Sequence, residues 1–359
     1  LIEPSTDAVL WLGAVIGALA LALARPGVEL FGASPQVTEL SLQYLVPMLL
    51  SFLPIYPAMA LFSFFTAAGD TRTPMIAQVV VNLLNAALDP VLIFGWAGLP
   101  AYGVAGAGIA SLLCSLLGLV WLAVAYRTGN LPFSTRGLLS RSGTGAWRTL
   151  LRIGIPASLA MLTRPASTVL LLGVIARFGS AGVAAFGVTV RALSLVWLYH
   201  GALATAVSTL TGQSLGTGNI KGIRVLVSKS TRLSLLISMV VGGCYFVWPR
   251  EIIGIFDDSN QQVLDLGALF MRLLTAANLA TAFSVIWASV LNGAGDTNPP
   301  MLIAVVANWI IKLPLACALA VPAGFGVQGV WWAMFVSLIF ESAATYLWYK
   351  RDKWMRVKV

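Results

Sequence analysis

Charge is what this 359-residue sequence has least of: Asp, Glu, Lys and Arg together make up 10% of it, where a soluble domain carries about 25%. It has one histidine, His200, and three cysteines, Cys114, Cys244 and Cys317, each inside an apolar stretch. So sparse a set holds neither a disulfide framework nor a Cys/His metal cluster, and the cysteines read as small hydrophobes. H-E-x-x-H and the Walker P-loop are both missing, which leaves no encoded metalloprotease or ATPase. Gly212-Gln213-Ser214-Leu215-Gly216 matches G-x-S-x-G in letters only. It closes an apolar helix, and the sole histidine is its only available base, so the nucleophile-elbow reading fails and the chain is read as no enzyme.

What is present is apolar. Hydrophobic residues account for 58% of the chain. Runs of about 20 residues, the length that crosses a hydrocarbon core as a helix, recur near 7–24, 42–68, 75–97, 102–126, 153–176, 182–210, 232–249, 266–292, 300–321 and 327–349. They are too long and too uniformly apolar for the strands of a β-barrel. The expected fold class is all-α, a polytopic membrane protein.

Two of these runs are copies. GDTRTPM from Gly69 and GDTNPPM from Gly295 share Gly, Asp, Thr, Pro and Met in register, and Asn82 recurs as Asn308 at the same offset of 226 positions. Internal duplication of this kind builds many secondary transporters. The second copy can be followed back to about Trp147, and its first-half counterpart would fall before Leu1. The sequence is therefore expected to be a fragment without the first two helices of the first repeat, carrying ten of twelve. The expected organisation is an incomplete N-lobe of four helices at 1–126, a basic linker at 127–151, a C-lobe of six helices at 152–349 and a basic tail at 350–359.

Charge placement orients the chain. With the Gly69–Pro74 loop on the cytoplasmic side, that side holds 15 of the 22 Lys and Arg residues, in the loop, the linker, Lys221–Arg232 and the tail. The opposite side has Arg25, Arg177 and Arg250 among Glu29, Glu39, Glu251, Asp257, Asp258 and Asp265. This is the positive-inside pattern, and it accounts for the net charge of +9 without nucleic acid as a partner. Both GDT loops fall on one side, so the repeats are parallel. The linker reads as a solvated segment drawn to anionic headgroups, and the location as the plasma membrane with linker and C-terminus in the cytoplasm.

Ionisable groups inside a bilayer are costly, so each is a functional candidate. Asp89 leads. Asn82, Asn85 and Asp89 stand at i, i+3 and i+7 on one helix face, and Pro90 leaves a backbone carbonyl without its donor. Three oxygen-bearing side chains there can ligate a hard cation or hold a proton; the alternative is an Asp at its helix end, bonded to nearby backbone. Arg164, before Pro165, can line a cavity or pair with a carboxylate. Lys312 stands one turn after Asn308, so the two copies differ in polarity at that face. Arg191, Arg272 and Glu341 read as snorkelling or locally paired groups. His200, beside Trp197 and Tyr199, reads first as a packing residue and second as a proton relay.

GDTRTPM with Asn82, Asn85 and LDPVLIFG (Leu88–Gly95), then GVAGAGIAS (Gly103–Ser111), resembles the fifth and sixth helices of the multidrug and toxic compound extrusion (MATE) transporters. GIPASL (Gly154–Leu159), AAFGVTVRALSL (Ala184–Leu195), GQSLGTGN (Gly212–Asn219), NGAGDT (Asn292–Thr297) and GVQGVWWA (Gly326–Ala333) extend the likeness over the whole chain. The resemblance implies two six-helix lobes in a V around a central cavity, with alternating access driven by H⁺ or Na⁺ and no other cofactor. It assigns cation binding to Asn85 and Asp89, which match the fifth-helix Asn-x-x-x-Asp, and to a sixth-helix hydroxyl for which Ser111 is the candidate. The partner Asp of the family's first helix is not in this sequence. Where other members carry a seventh-helix Glu, this chain has Ala160 and Arg164. The function so implied is cation-coupled export of amphipathic or cationic small molecules by a monomer. Arg164, His200 and Asn308 are the candidate cavity residues. Flipping of lipid-linked saccharides on a related architecture is the alternative, and it would call for several basic groups in the cavity.

Overall fold

The computed structural model describes residues 5–30, 34–128, 144–256 and 260–356, with side chains from Gly13 in the first helix and from Leu151 in the sixth. The described chain is helical throughout and without strands, and it divides into two compact units at residues 150 and 151. Unit 1 holds α1 (Ser5–Leu30), α2 (Pro35–Leu50), α3 (Phe52–Ala67), α4 (Arg72–Phe94) and α5 (Val104–Thr128). Unit 2 holds most of α6 (Thr144–Ala176), then α7 (Ser180–Gly216), α8 (Ile220–Val247), the short α9 (Pro249–Gly254) and α10 (Gln261–Gly293). It ends with α11 (Asn298–Val305), a π-helical turn at Val306–Lys312, α12 (Leu313–Ala320) and α13 (Gly326–Tyr349). Among the described residues nine segments are long and apolar enough to cross a membrane, with α2 and α3 counted as one. The expected run at 7–24 lies in α1, part of it outside the described side chains.

Three departures from the expected boundaries have local causes. The run near 42–68 starts earlier, at Pro35, behind an N-cap formed by Ser34, and is interrupted at Ser51. Pro54 has no N–H to offer the Leu50 carbonyl, so the regular ladder fails there. α6 starts at Thr144, so the end of the expected linker is helix; most of that linker, 129–143, and the last residues of the tail lie outside the described residues. The run at 300–321 widens into the π turn just before Pro314, another residue unable to donate to the carbonyl four positions back.

The sequence duplication is a structural one. Asp70 N–H donates to the Phe65 carbonyl at 2.9 Å, and Asp296 N–H to the Leu291 carbonyl at 2.9 Å, 226 positions later in donor and acceptor alike. Gly69 and Gly295 take φ of 89° and 78°, the left-handed turn that a side chain would resist. The hairpins that follow also match. A Cβ on Gly106 would stand 2.6 Å from the Leu92 backbone, and one on Gly329 would stand 2.7 Å from the Leu319 backbone. Each repeat thus brings its last two helices together over a bare glycine.

Burial follows the units. In unit 1, Leu61, Phe64 and Phe65 of α3 pack on Ala77 of α4 and on Leu122 and Tyr126 of α5. In unit 2, Phe186, Phe270 and Trp331 stack with ring centres 4.0–6.0 Å apart, tying α7, α10 and α13 together around Leu171 and Ile175 of α6. The wide apolar exposure elsewhere is what a bilayer-facing surface requires.

Candidate functional site

The GDT loop fixes where α4 begins. Asp70 accepts from the N–H groups of Arg72 and Thr73, both at 3.0 Å, and from the Thr73 hydroxyl at 2.6 Å. Those bonds, the Thr73 hydroxyl foremost, hold the Asp70 carboxyl below its ordinary pKa. The second copy cannot reproduce the two bonds from Thr73, because Pro299 stands in its place with neither hydroxyl nor N–H. Thr297 there donates instead to the Ile153 carbonyl of α6 at 3.1 Å.

From that start, α4 carries a ladder of polar side chains in steps of four, three and four. Gln78 Nε2 donates to Asn82 Oδ1 at 2.9 Å, and Asn85 Nδ2 makes a long 3.5 Å contact to Asp89 Oδ1. A cavity of about 450 Å³ opens between α3, α4 and α5 beside this ladder. Asn82, Asn85 and Ser111 all line it, together with Gln78, Ser63 and Ser115. Buried Cys114 lies against the Asn85 side chain. The hydroxyls of Ser63, Ser111 and Ser115 donate to carbonyls of their own helices at 2.8–3.0 Å. Their lone pairs therefore remain as acceptors for whatever enters.

Asp89 is half-buried one turn beyond Asn85 and is not among the cavity-lining residues. No basic side chain pairs with it among the described residues. Asn82, Asn85, Ser111 and Asp89 thus form one oxygen-rich strip, three of them on the cavity wall. Such a set suits a proton or a hard monovalent cation. The sequence reading passed over Gln78, although its place four residues before Asn82 was a usable signal. Ser63 and Ser115 carried none, since mid-helix serines in apolar runs are common.

In unit 2 the candidate residues meet in a second polar cluster. Arg164 pairs with Glu341, 177 positions away, and its guanidinium carbon lies 5.4 Å from the Trp197 ring centre. Lys312, buried on the π turn, donates to Asn308 Oδ1 at 2.6 Å, and Ser167 donates to the same oxygen at 3.4 Å. The Lys312 ammonium lies within electrostatic range of both Arg164 and Glu341. His200 is buried between Trp197 and Tyr199, with ring centres 5.9 and 4.3 Å away. Neither of its nitrogens has a hydrogen-bond partner among the described residues. Glu341, read from sequence as a snorkelling or locally paired group, is the long-range partner of Arg164.

Glu341→Ala should lower stability by about 1–3 kcal/mol, short of the ~3–5 kcal/mol of a fully buried pair, because the Arg164 side chain is 39% exposed and keeps its stack on Trp197. Thermal unfolding of the purified protein reads this directly, and Glu341→Gln, which keeps an acceptor, should lose less.

Against known proteins, the MatE family matches residues 5–91 and 156–318, well over half of the sequence. The chain belongs to the MatE family. Members of that family are transporters and not enzymes. A probable multidrug resistance protein NorM of Thermotoga maritima is 29% identical over 301 residues, which are 83% of this chain and 64% of that protein. The Rhizobium meliloti protein of the same description is 28% identical over 346 residues, 94% of this chain and 73% of its own length. Among solved structures, a MATE protein in the bent conformation superposes with a TM-score of 0.90 at 20% identity, covering 99% of this chain and 78% of that one. A mutant of the Vibrio cholerae MATE transporter VcmN gives 0.86 at 23% identity, covering 98% and 78%. The MatE chain is thus a multi-pass membrane protein of the two-lobed MATE fold, and it spans about two thirds of the length of the relative from Thermotoga maritima.

Proposed function

We propose that this MatE chain belongs to a cation-coupled antiporter that exports amphipathic or cationic small molecules by alternating access. The observation that carries the proposal is the cavity of about 450 Å³ in unit 1, walled by Asn82, Asn85 and Ser111 and adjoined by Asp89, which has no ion-pair partner among the described residues. An inward-moving H⁺ or Na⁺ would occupy that strip in one state and leave it in the other. Only a difference in its affinity for the two states can drive the change. The NorM relatives, named for multidrug resistance, supply the substrate class. The proposed setting is a bacterial inner membrane, with the basic linker and C-terminus cytoplasmic and the protein working as a monomer.

Sealed vesicles containing the protein provide the test. Under an imposed H⁺ or Na⁺ gradient, a cationic dye should move against the cation and a fluorescent lipid-linked saccharide should not change leaflets. Saccharide movement without dye transport would replace this reading with the flippase. A specific observation argues against that outcome: of the basic side chains in the unit 2 cluster, Arg164 is already paired with Glu341 and Lys312 is buried against Asn308.

A further inference from the structure

The far end of α8 and the middle of α10 enclose a second groove, of about 270 Å³, distinct from the unit 1 cavity. Its walls are Met239, Gly243 and Phe246 on α8 and Thr275, Ala276 and Leu279 on α10. The two helices approach closely at its floor, where a Cβ on Gly242 would stand 3.1 Å from the Thr275 methyl group. The lining is apolar and its rim is open: Met239 is 55% exposed and Phe246 50%. Both helices are long and apolar enough to cross a membrane, which puts lipid within reach of an open rim between them.

Arg272 stands one helical turn from Thr275, at the end of the groove marked by Phe246. Its Nε donates to the Phe246 carbonyl at 3.4 Å. The side chain is exposed, and among the described residues no carboxylate pairs with it. A guanidinium has five N–H donors, so four remain for a ligand. At 1.5 Å per residue, Arg272 lies ~16 Å along α10 from Gln261 and level with the last turn of α8. An unpaired cation inside a span is costly unless something anionic meets it. At the edge of a membrane the abundant anion is a lipid phosphate, and Arg is suited to grip it with two parallel bonds.

We infer that this groove is a binding site for one anionic phospholipid, its phosphate on Arg272 and an acyl chain lying between Met239 and Leu279. Charge and shape run in the order that such a lipid presents them: cation first, then an apolar trough leading away from it. The ammonium of a zwitterionic lipid would compete with Arg272 for the phosphate, so the site prefers a headgroup with net negative charge. This site is independent of the transport reading, since none of its residues lines the unit 1 cavity.

The test is native mass spectrometry of the chain purified in detergent with equimolar phosphatidylglycerol and phosphatidylethanolamine. Wild type should retain phosphatidylglycerol preferentially. Arg272→Gln should reduce that retention about fivefold, the equivalent of ~1 kcal/mol for one basic residue at a membrane surface, and remove the preference. Gly243→Leu places a side chain in the trough from a position where a Cβ meets nothing within 4 Å, and it should lower retention of both lipids. Arg191→Gln, at another exposed arginine inside a span, should change nothing. Circular dichroism and a monodisperse profile establish that each variant is folded. Wild-type phosphatidylglycerol retention by Arg272→Gln overturns the headgroup assignment. An undiminished Gly243→Leu overturns the groove, and an equal loss in Arg191→Gln reduces the effect to general surface charge.

Discussion

Asp89→Asn should lose gradient-driven transport while remaining folded and able to bind substrate. The substitution preserves the shape of the side chain and an oxygen within reach of the Asn85 amide, which now makes a 3.5 Å contact. It removes the only group in the strip of Asn82, Asn85, Asp89 and Ser111 that can change charge. A proton would then have no site to occupy, and a sodium ion would face neutral oxygens only. Gradient-driven flux should fall by roughly 5- to 150-fold, the span of a coupling free energy of about 1–3 kcal/mol. Dye uptake into vesicles, measured beside dye binding to the purified protein, separates lost coupling from lost binding. Retention of wild-type flux would make Asp89 a helix-end residue serving structure alone.

The largest effect on stability is expected at Gly293, where α10 meets α7. A Cβ built there would stand 2.3 Å from the Ser208 carbonyl oxygen and 2.9 Å from its Cα. These are backbone atoms of a long helix and no rotamer change clears them, so one helix must move. Both helices belong to the stacked core of unit 2, through Phe186 on α7 and Phe270 on α10. Overpacking of this kind costs about 1–3 kcal/mol where side chains can yield, and backbone contact places Gly293→Ala at the upper end or beyond. The thermal midpoint should fall by roughly 6–12 °C at about 2–4 °C per kcal/mol. Gly201→Ala is the control, since a Cβ there meets nothing within 4 Å. Equal midpoints for the two variants would refute the close-contact argument.

Much of this could be read from residues because a membrane makes hydrophobicity nearly one-dimensional. Nine of the ten expected runs correspond, among the described residues, to apolar segments long enough to cross, and the GDT copies return as loops with matching backbone hydrogen bonds. The α4 strip was legible for a similar reason: Asn82, Asn85 and Asp89 are close in sequence, and helical periodicity alone puts them on one face. What stayed hidden was long-range. Arg164 and Glu341 are 177 positions apart, and no spacing rule joins them. Ser63 reaches the cavity only through the packing of α3, whose Leu61, Phe64 and Phe65 are buried against α4 and α5. The π turn was hidden as well, although Pro314 was in view, because a proline after an apolar run marks a disturbed ladder without saying how it is repaired.

The two repeats disagree at one small place, and the disagreement is useful. Gly98 and Gly324 are 226 positions apart, whereas Gly103 and Gly326, each with φ of 55°, are 223 apart, so the first hairpin has three more residues, Leu99–Ala101. Those residues crowd Gly95, whose Cβ would meet Ala101 N at 2.7 Å and Leu99 O at 2.8 Å; without them, the second copy accepts Val321 at the matching position. The two copies therefore keep the same hairpin with and without these three residues. Its exposed tip is the natural place to graft an epitope or a single labelling cysteine, a handle from which the sidedness of the whole chain can be read in intact cells.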